Sequence, residues 1–409
     1  MESSKLIADL FRAYYDSRKN KRNTINALKF EIEYEKNLFQ LCRDIENREY
    51  EISPSVCFIV NSPLKREIFA ADFRDRIVHH LIFNYINPLF EKHFIKDSYS
   101  CRIGKGTSYG IKRVDHFLRS CSENYQKDCW ILKLDIQGYF MAMDRNILYA
   151  KIKNRLEFVK TRNVETPHDD VETPRRGVST VGFDIDLILY LIHTVIFNDP
   201  TKNCHIKGKR EDWVGLPKSK SLFFAKENKG FPIGNLTSQL FGNIYLDEFD
   251  HLMKEKLNIK HYGRYVDDMV FIHPDKEFLK TVTAIVETYC NTSLHLTIHP
   301  KKIYLQHFKK GVQFLGTFIK PWRIYAGKRT KGNFYAKIQE WNEVIAKRNL
   351  NKKEIQEFVS CMNSYLGIMQ HYDTYKLRKK MLDENLAEKF WGYVGSGEGY
   401  GKLVYLGSY

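Results

Sequence analysis

The sequence predicts an α+β fold, because helix-type and strand-type patterns of apolar residues occupy separate stretches of the chain. Apolar residues recur every three or four positions near the N-terminus and again over residues 334–380, which indicates helices. Short apolar runs at 56–60 and 131–135 indicate strands. The 409 residues are enough for a sizeable core and for two or three domains.

The elements follow from these patterns in chain order. The sequence predicts helices from Leu6 to about Ile45 with a basic interruption at 18–23, strands at 56–60 and 67–70 joined by a turn at Pro63, and helices at 77–90, 184–197 and 334–380. Asn23 or Thr24 is the expected cap of the second helix. Residues 161–182 are polar and contain Val-Glu-Thr-Pro twice, which predicts a loop or an insertion.

Composition and charge exclude several classes of protein. With 43% hydrophobic and 14% aromatic residues, the chain is too apolar to be disordered. No apolar run reaches the roughly 18 residues of a membrane span, and the N-terminus lacks a secretory signal, so we expect a cytoplasmic protein. The eight cysteines contain no Cys-x-x-Cys pair, which excludes the usual zinc ribbons. The net charge of +16 favours a polyanionic partner such as nucleic acid.

Three carboxylates end or interrupt apolar runs. Asp135 closes the run from Ile131, and the adjacent Asp267 and Asp268 lie in the middle of the run 262–272, which predicts a hairpin with both acids at its turn. Acids within apolar strands are costly unless a cation compensates them. Hard divalent cations prefer carboxylate oxygens, and a pair of them about 3.5–4 Å apart supports phosphoryl transfer. The alternative is that each acid belongs to an ordinary surface turn.

A loop rich in glycine and proline lies between these acids, at residues 229–236, and a helix is expected to begin near Thr237. Such a loop allows the backbone to approach a flat ligand or a phosphate closely. It is equally compatible with a simple helix-entry turn.

In their order and spacing, these segments resemble the reverse transcriptases. The resemblance covers roughly residues 6–385 and rests on five motifs: Leu134-Asp-Ile-x-x-Tyr139-Phe140, Gly230-x-Pro-x-Gly234-x-x-x-Ser238-Gln239, Tyr265-Val-Asp-Asp268, Lys301-Lys302 and Gln313-Phe-Leu-Gly316. The resemblance implies a right-hand polymerase fold with fingers, an antiparallel palm sheet with helices on one face, and a helical thumb. It also implies RNA-directed DNA synthesis.

Further motifs are similar to the reverse transcriptases of diversity-generating retroelements. These are Gly234-Asn-Leu-Thr-Ser-Gln-Leu-Phe-Gly-Asn-Ile-Tyr-Leu246, Ser100-Cys-Arg-x-Gly-Lys-Gly-Thr107, Phe73-Arg-Asp-Arg-x-Val-x-His80, Leu10-Phe-x-Ala-Tyr14 and Ser364-Tyr-Leu-Gly-x-x-x-His371. That resemblance implies error-prone cDNA synthesis from a cognate template RNA, with errors concentrated at template adenines. The cDNA would diversify a target gene.

The resemblance also assigns site residues. Asp135, Asp267 and Asp268 become the catalytic metal ligands, joined by the backbone carbonyl of Ile136, for two Mg²⁺ ions with Mn²⁺ as an alternative. The residues expected to contact the nucleotide are Lys65, Arg66, Arg74, Phe140, Ile233 and Gln239. The residues expected to contact the template and primer are Ser238, Lys301, Lys302, Leu315, Gly316, Lys328 and Arg329.

Two of these positions carry specific expectations. Phe140 follows Asp135 by five residues, where a bulky ring would exclude a 2′-hydroxyl and select deoxynucleotides. Ile233 occupies a loop position where retroviral relatives carry Gln, and the loss of that amide is expected to lower fidelity. Phe140 as an ordinary core aromatic, and Arg66 and Arg74 as solvated surface cations, are the alternatives.

The resemblance divides the chain into six segments. These are N-terminal helices and fingers (1–128), palm (129–145), finger helices with the insertion (146–229), palm with the primer grip (230–325), helical thumb (326–392) and tail (393–409). The expected partners are template RNA, an RNA/DNA primer–template, dNTPs and a small basic accessory protein, with no membrane, in a bacterial or phage setting.

Rival interpretations remain at this stage. An antiphage-defence reverse transcriptase differs in biology more than in chemistry. A retron enzyme should show Asn-Ala-x-x-His, whereas Asn26-Ala27 is followed by Leu-Lys-Phe. An RNA-binding scaffold with a decayed polymerase site is a different class, which the three intact acids argue against.

Overall fold

The computed structural model describes residues 2–19, 24–61, 64–164 and 184–407. Several expectations fall outside these ranges: the Pro63 turn, the Asn23 cap, most of the basic interruption after Lys19, and the insertion from residue 165 onward with its second Val-Glu-Thr-Pro copy.

Within the described residues the chain forms fourteen α-helices. In chain order they are α1 (Glu2–Arg18), α2 (Ile25–Glu31), α3 (Tyr34–Glu46), α4 (Phe73–Glu91), α5 (Thr107–Cys121), α6 (Tyr139–Ala142), α7 (Arg145–Val164), α8 (Ile185–Phe197), α9 (Leu236–Tyr245), α10 (Asp247–His251), α11 (Lys276–Ser293), α12 (Lys328–Lys347), α13 (Lys352–Met369) and α14 (Tyr375–Asn385). A single π-helical stretch, Leu252–Lys256, extends α10.

The same described residues contain twelve strands. They are β1 (Ser55–Val60), β2 (Arg66–Ala70), β3 (Trp130–Asp135), β4 (Cys204–Ile206), β5 (His261–Tyr265), β6 (Asp268–His273), β7 (Tyr304–His307), β8 (Val312–Phe314), β9 (Thr317–Lys320), β10 (Arg323–Ala326), β11 (Val394–Ser396) and β12 (Leu403–Tyr405). Their sheets have the orders β2-β1-β4, β5-β6-β3-β7, β10-β9-β8 and β11-β12. Antiparallel pairing joins β1 to β2, β8 to β9, β9 to β10 and β11 to β12, whereas β4 runs parallel to β1.

Local sequence explains several of the helix boundaries. Asp72 and Asp184 cap α4 and α8 by accepting hydrogen bonds from backbone N–H groups of the first turn. Asn351 and Glu354 form a reciprocal capping box at the start of α13. Helix α8 is apolar on most faces, as a buried helix should be.

The chain divides into two compact units. The first combines residues 1–106, 133–269 and 280–303, and the second combines 107–132, 270–279 and 304–409. In the first unit, α4 packs against α1 and α9 and carries the buried side chains Ile77, Val78, Leu81 and Ile82. In the second unit, α12, α13 and α14 pack around a core that includes Phe334, Phe358, Leu366 and Phe390.

The α+β class with antiparallel sheets is confirmed. The strands expected at 56–60 and 67–70 and the helix expected at 184–197 match β1, β2 and α8 within two residues. The second N-terminal helix was predicted as one element and is two, α2 and α3, separated by a turn at Ile32 and Glu33. The six-segment division into fingers, palm and thumb stays a prediction.

Candidate active site

The first of the three acids closes a buried strand. Leu132 and Leu134 of β3 are fully buried, and Lys133 and Asp135 alternate with them on the opposite face. The His299 N–H donates a 2.8 Å hydrogen bond to the Asp135 carbonyl, and the Gln137 N–H donates one of 2.9 Å to Thr297. These bonds flank an antiparallel bridge between Ile136 and Ile298, so the Ile136 carbonyl takes no part in that bridge.

The other two acids lie at a hairpin turn between β5 and β6. Val266 and Asp267 form the turn, and Asp268 is the first residue of β6. Val266 has φ = 54°, a left-handed conformation that a β-branched residue rarely adopts. Arg264 Nη1 donates a 2.8 Å hydrogen bond to the Val266 carbonyl, and the Val266 N–H donates one of 3.3 Å to Ser100 Oγ. The turn is therefore held in a strained conformation from both sides.

Arg264 is in turn fixed by a buried carboxylate on α10. Arg264 and Asp250 are both fully buried, with Nη2 at 2.6 Å from Oδ2 and Nε at 2.9 Å from Oδ1. The Tyr262 hydroxyl donates a further 2.5 Å hydrogen bond to Asp250 Oδ1. A fork of this kind defines the position of the guanidinium, and with it the position of the turn.

The structure brings the three carboxylates together. Burial, followed by the neighbouring charges of Asp135 and Asp268, raises the pKa of Asp267 to about 7. Burial also raises the pKa of Asp268, while Lys133 opposes that rise. Two lysines balance the site: Lys302 Nζ lies 2.8 Å from Asp135 Oδ1, and Lys133 Nζ lies 3.1 Å from Asp268 Oδ1.

The donor set fits divalent cations. Asp268 Oδ1 is buried and, although Lys133 is near, it has no aligned hydrogen-bond partner among the described residues. Three mutually repelling carboxylates with an unsatisfied oxygen form the all-oxygen environment that Mg²⁺ prefers. Asp135, Asp267 and Asp268, with the Ile136 carbonyl, are the groups that would hold such ions.

Two residues predicted to contact the nucleotide lie in one apolar cluster. Phe140, on α6, and Ile233 are both half-buried and pack against Cys57, Phe69 and further side chains. The Phe69 N–H donates a 3.0 Å hydrogen bond to the Ile233 carbonyl, which ties the loop to β2. At Gly234, φ is 129° and an added Cβ would lie 3.1 Å from the Phe69 carbonyl oxygen, so this position requires glycine.

The other predicted nucleotide contacts differ in how accessible they are. Gln239 and Arg66 are exposed, and Lys65 Nζ donates a 2.7 Å hydrogen bond to the Val214 carbonyl. Arg74 is engaged elsewhere: it pairs with Asp44 at 2.6 Å.

The Arg74 guanidinium also donates to the Glu51 carbonyl and lies over the Tyr50 ring. These contacts occupy several donors of the guanidinium, and a contact of Arg74 with the triphosphate stays a prediction.

The predicted template and primer contacts fall in both units. Ser238 is 4% exposed, so little of its side chain is accessible, and its contact with the template stays a prediction. Lys301 is exposed, whereas Lys302 pairs with Asp135 as described above. In the second unit, Leu315 and Gly316 form the turn between β8 and β9, with φ values of 47° and 82°.

Lys328 and Arg329, also in the second unit, are exposed on the first turn of α12. Their side chains are therefore available to a charged partner.

Sequence reasoning missed four residues that hold the site: Ser100, Lys133, Asp250 and Arg264. The sequence pattern could have indicated Lys133, since it lies two residues before Asp135 and therefore on the same face of an otherwise apolar strand. The pattern could also have indicated Arg264, because a cation inside an apolar run needs a buried partner. The identity of that partner, Asp250, is a matter of tertiary packing.

Residues 196–319 match the family model described as reverse transcriptase (RNA-dependent DNA polymerase). The chain is also 22% identical over 275 residues to protein YkfC of Escherichia coli (strain K12), an alignment that covers 59% of this chain and 60% of YkfC. The chain thus spans about 60% of the length of this curated relative.

Among solved structures, telomerase chains from two Candida species give partial matches. Telomerase from Candida albicans, solved with the TWJ fragment of telomeric RNA, gives a TM-score of 0.47 at 11% identity, covering 84% of this chain and 66% of that chain. Apo telomerase from Candida tropicalis gives a TM-score of 0.47 at 11% identity, covering 81% of this chain and 59% of that chain.

Among the described helices, none combines the length and the apolar character that crossing a bilayer requires.

The matched region contains the hairpin with Asp267 and Asp268, the loop before α9 and the turn at Leu315, while Asp135 lies on the N-terminal side of it. The chain therefore contains a reverse transcriptase domain.

Proposed function

We propose that this chain is an RNA-directed DNA polymerase whose reaction centre is formed by Asp135, Asp267 and Asp268. The observation that carries the proposal is the convergence of these three carboxylates, two of them on a strained hairpin inside the matched reverse transcriptase domain. When bound, two divalent cations would promote attack by the primer 3′-hydroxyl and stabilise the leaving pyrophosphate oxygen.

The chain's own residues would position and neutralise these groups. Asp135, Asp267 and Asp268 would hold the ions, and Asp268 is further proposed to orient the primer end. Lys133 and Lys302 hold the acids in place while no cation compensates them. The strained Val266 turn fixes Asp267 before substrate binds, so that no reorganisation is needed during the reaction.

Primer extension tests this proposal. With Mg²⁺ and an oligo(dT) primer on poly(rA), the Asp267→Asn variant should lose at least about 1,000-fold of the activity, because the carboxylate stabilises charge in the transition state. Glu287→Gln, an exposed change of the same charge on α11, should keep wild-type activity. Equal incorporation by wild type and Asp267→Asn, or activity on DNA templates alone, would reject the proposal.

Phe140 is proposed to select deoxynucleotides by occupying the space of a 2′-hydroxyl. Its ring edge lies against α9, where a Cβ added to Gly242 would come within 3.3 Å of Phe140 Cε1, so the ring has little room to move aside. Phe140→Ala should raise the ratio of ribonucleotide to deoxynucleotide incorporation about 10-fold. An unchanged ratio would show that Phe140 is an ordinary packing residue.

We further propose that synthesis is error-prone at template adenines and serves the diversification of a target gene. The resemblance of residues 234–246 to retroelement enzymes supports this proposal. The apolar Ile233 supports it too, because its side chain offers no hydrogen bond that would favour a correctly paired nucleotide. Sequencing of cDNA made by the wild type and by Ile233→Gln tests it. An error spectrum without adenine bias would count against errors at template adenines. A spectrum unchanged by Ile233→Gln would count against the role of Ile233.

Nucleic acid is the proposed partner of the exposed cations in the second unit. A small basic accessory protein is a further proposed partner of the chain, and a bacterial or phage-infected cytoplasm is the proposed setting. Lys328 and Arg329 would contact phosphates as point charges without reading sequence. Changing both to Gln should lower the slope of log affinity against log salt by about 2. An unchanged slope would remove these two residues from the nucleic-acid surface.

A further inference from the structure

A second cluster of ligand-type side chains lies outside the three acids. His93, Asp247 and His251 each offer one ligand atom, and these atoms all lie within 4.8 Å of one another. His93 Nδ1 is 2.6 Å from Asp247 Oδ2, and His251 Nε2 is 3.6 Å from Asp247 Oδ1. The two imidazole rings lie with their centroids 4.5 Å apart.

The cluster combines the end of one helix with one face of another, both in the first unit. His93 follows Lys92, the residue that caps the C-terminal end of α4. Asp247 and His251 are four residues apart on α10, which places them on one face of the helix. The cluster therefore joins the end of α4 to α10.

An unsatisfied oxygen points to a missing cation. Asp247 is 5% exposed, and its Oδ1 is buried without a hydrogen-bond partner among the described residues. Leaving a buried carboxylate oxygen unpaired is costly. This oxygen is also the one that lies toward His251 Nε2.

The tautomer of His251 provides a second, independent indication. His251 Nδ1 is 2.7 Å from Glu255 Oε1, and because a carboxylate accepts, Nδ1 is the donor. In the neutral ring Nε2 carries the lone pair, and it lies 3.6 Å from Asp247 Oδ1 and 3.0 Å from the His93 carbonyl oxygen. A carboxylate that orients a histidine from behind is the usual outer partner of a metal-bound imidazole.

A proton is the competing explanation, because His251 Nε2 also lies 3.0 Å from the His93 carbonyl oxygen. A doubly protonated His251 would donate to that carbonyl. It would leave Asp247 Oδ1 without a partner, since no hydrogen bond forms across the 3.6 Å separation. A cation between Nε2 and Oδ1 would satisfy both atoms.

We propose that His93, Asp247 and His251 bind one divalent transition-metal ion, with Zn²⁺ as the best chemical fit. Two imidazoles and one carboxylate form an established zinc ligand set, whereas Mg²⁺ and Ca²⁺ prefer oxygen ligands alone. Ligands of one tetrahedral Zn²⁺ lie about 3.4 Å apart, close to the separation of His251 Nε2 and Asp247 Oδ1. The ion would replace the proton that His93 Nδ1 shares with Asp247.

The ion's expected role is structural. Asp250, adjacent to His251 on α10, holds Arg264, and Arg264 holds the Val266 carbonyl. Fixing α10 to the end of α4 would therefore stabilise the support of the catalytic turn without contributing a group to the reaction.

Metal content of the full-length protein tests the proposal. After chelation, incubation with Zn²⁺ and desalting, the wild type should retain about one zinc per chain and show a higher Tm than the metal-free protein. His93→Gln/His251→Gln should retain none. His295→Gln alters a histidine beside Asp144 that belongs to no three-ligand group among the described residues, and it should retain zinc like the wild type.

Two further variants keep the test decisive. Glu255→Gln changes an exposed outer partner and should weaken zinc affinity about 10–100-fold without unfolding the protein. Asp267→Asn should retain the zinc, because it belongs to the other site. Absence of zinc from the wild type, or equal zinc in the double histidine variant, would overturn the proposal and would leave the proposed polymerase activity unaffected.

Discussion

The two compact units bury different kinds of side chain. Among the described residues, the buried acidic, basic and histidine side chains of the first unit are Glu67, Asp75, His79, Asp97, Arg145, Asp247, Asp250 and Arg264. In the second unit, Arg378 is the one such residue described. The core around α12, α13 and α14 is otherwise apolar, with stacked rings such as Phe358 on Phe390 at 4.1 Å.

This difference separates two ways of fixing a shape. Apolar packing tolerates substitution of similar volume, whereas buried ion pairs and hydrogen bonds specify distance and direction. The first unit contains the three carboxylates, where direction matters. Its buried charges therefore lie in the same unit as the proposed reaction centre, which must be held rigidly.

Two of the hairpin turns with positive φ show the same contrast on a smaller scale. The turn at Leu315 and Gly316 has φ values of 47° and 82°, and glycine adopts the larger angle without steric cost. The turn at Val266 places a β-branched residue at φ = 54°, and contacts from Arg264 and Ser100 hold it there. Glycine relieves part of the strain in the first turn, whereas contacts from its surroundings hold the second.

The largest expected effect comes from removing a buried arginine in each unit. Arg264→Met should lower the free energy of unfolding by about 3–5 kcal/mol, because Asp250 is left buried and unpaired. Arg378→Met should lower it by about 1 kcal/mol, since Arg378 donates to the Tyr400 carbonyl and the Thr374 hydroxyl rather than to a buried acid. Urea unfolding measures the loss of stability in both variants. Equal losses would show that the two units do not differ in how they depend on a buried arginine.

A pH effect should be specific to the first unit. Burial, followed by the charges of His80 and Arg76, lowers the pKa of His79 to about 3, and its ring lies 2.8 Å from the Thr237 hydroxyl. The folded state thus keeps His79 neutral while the unfolded chain protonates it below pH 6.5. The stability it contributes is complete above that pH and should be lower by about 2 kcal/mol at pH 5.

Unfolding free energies between pH 5 and pH 8 measure this effect as a difference in slope. His79→Gln should flatten the slope, and His116→Gln, an exposed histidine of the second unit, should not. Identical slopes for all three proteins would show that His79 does not carry the effect.

The turn of the second unit should respond to loss of its glycine. Gly316→Ala should cost about 1 kcal/mol, because nothing lies within 4 Å of the added Cβ and the penalty is that of the positive φ alone. Gly332→Ala on α12 adds a methyl in equally open space in a helix and should stabilise instead. Thermal unfolding of both variants gives the sign directly.

The smallest expected stability change is at the catalytic turn. Val266→Gly should stabilise the fold by about 0.5 kcal/mol, the relief of left-handed strain less the entropy cost of glycine. Primer extension should nevertheless slow several-fold, since a freer turn no longer holds Asp267 in one place. A variant that is both more stable and equally active would show that the strain has no function.

Sequence patterns predicted what depends on local chemistry. The periodicities at 56–60 and 184–197 correspond to β1 and α8, and the acids at the ends of apolar runs lie together as expected. Pairings between distant residues were not predictable, such as Asp250 with Arg264 or Arg74 with Asp44. The burial of Ser238 was missed for the same reason, because a motif match does not show which face of α9 packs inward.

The buried Arg264–Asp250 pair also constrains how this protein can diverge. Replacing either residue alone leaves an uncompensated charge in the interior, so a viable change at one position requires a matching change at the other. Drift through single substitutions is blocked at these two positions, while the half-buried Ile233 is open to it. Under the proposed role of Ile233, copying accuracy can therefore evolve, or be engineered, at the loop without disturbing the support beneath the proposed catalytic acids.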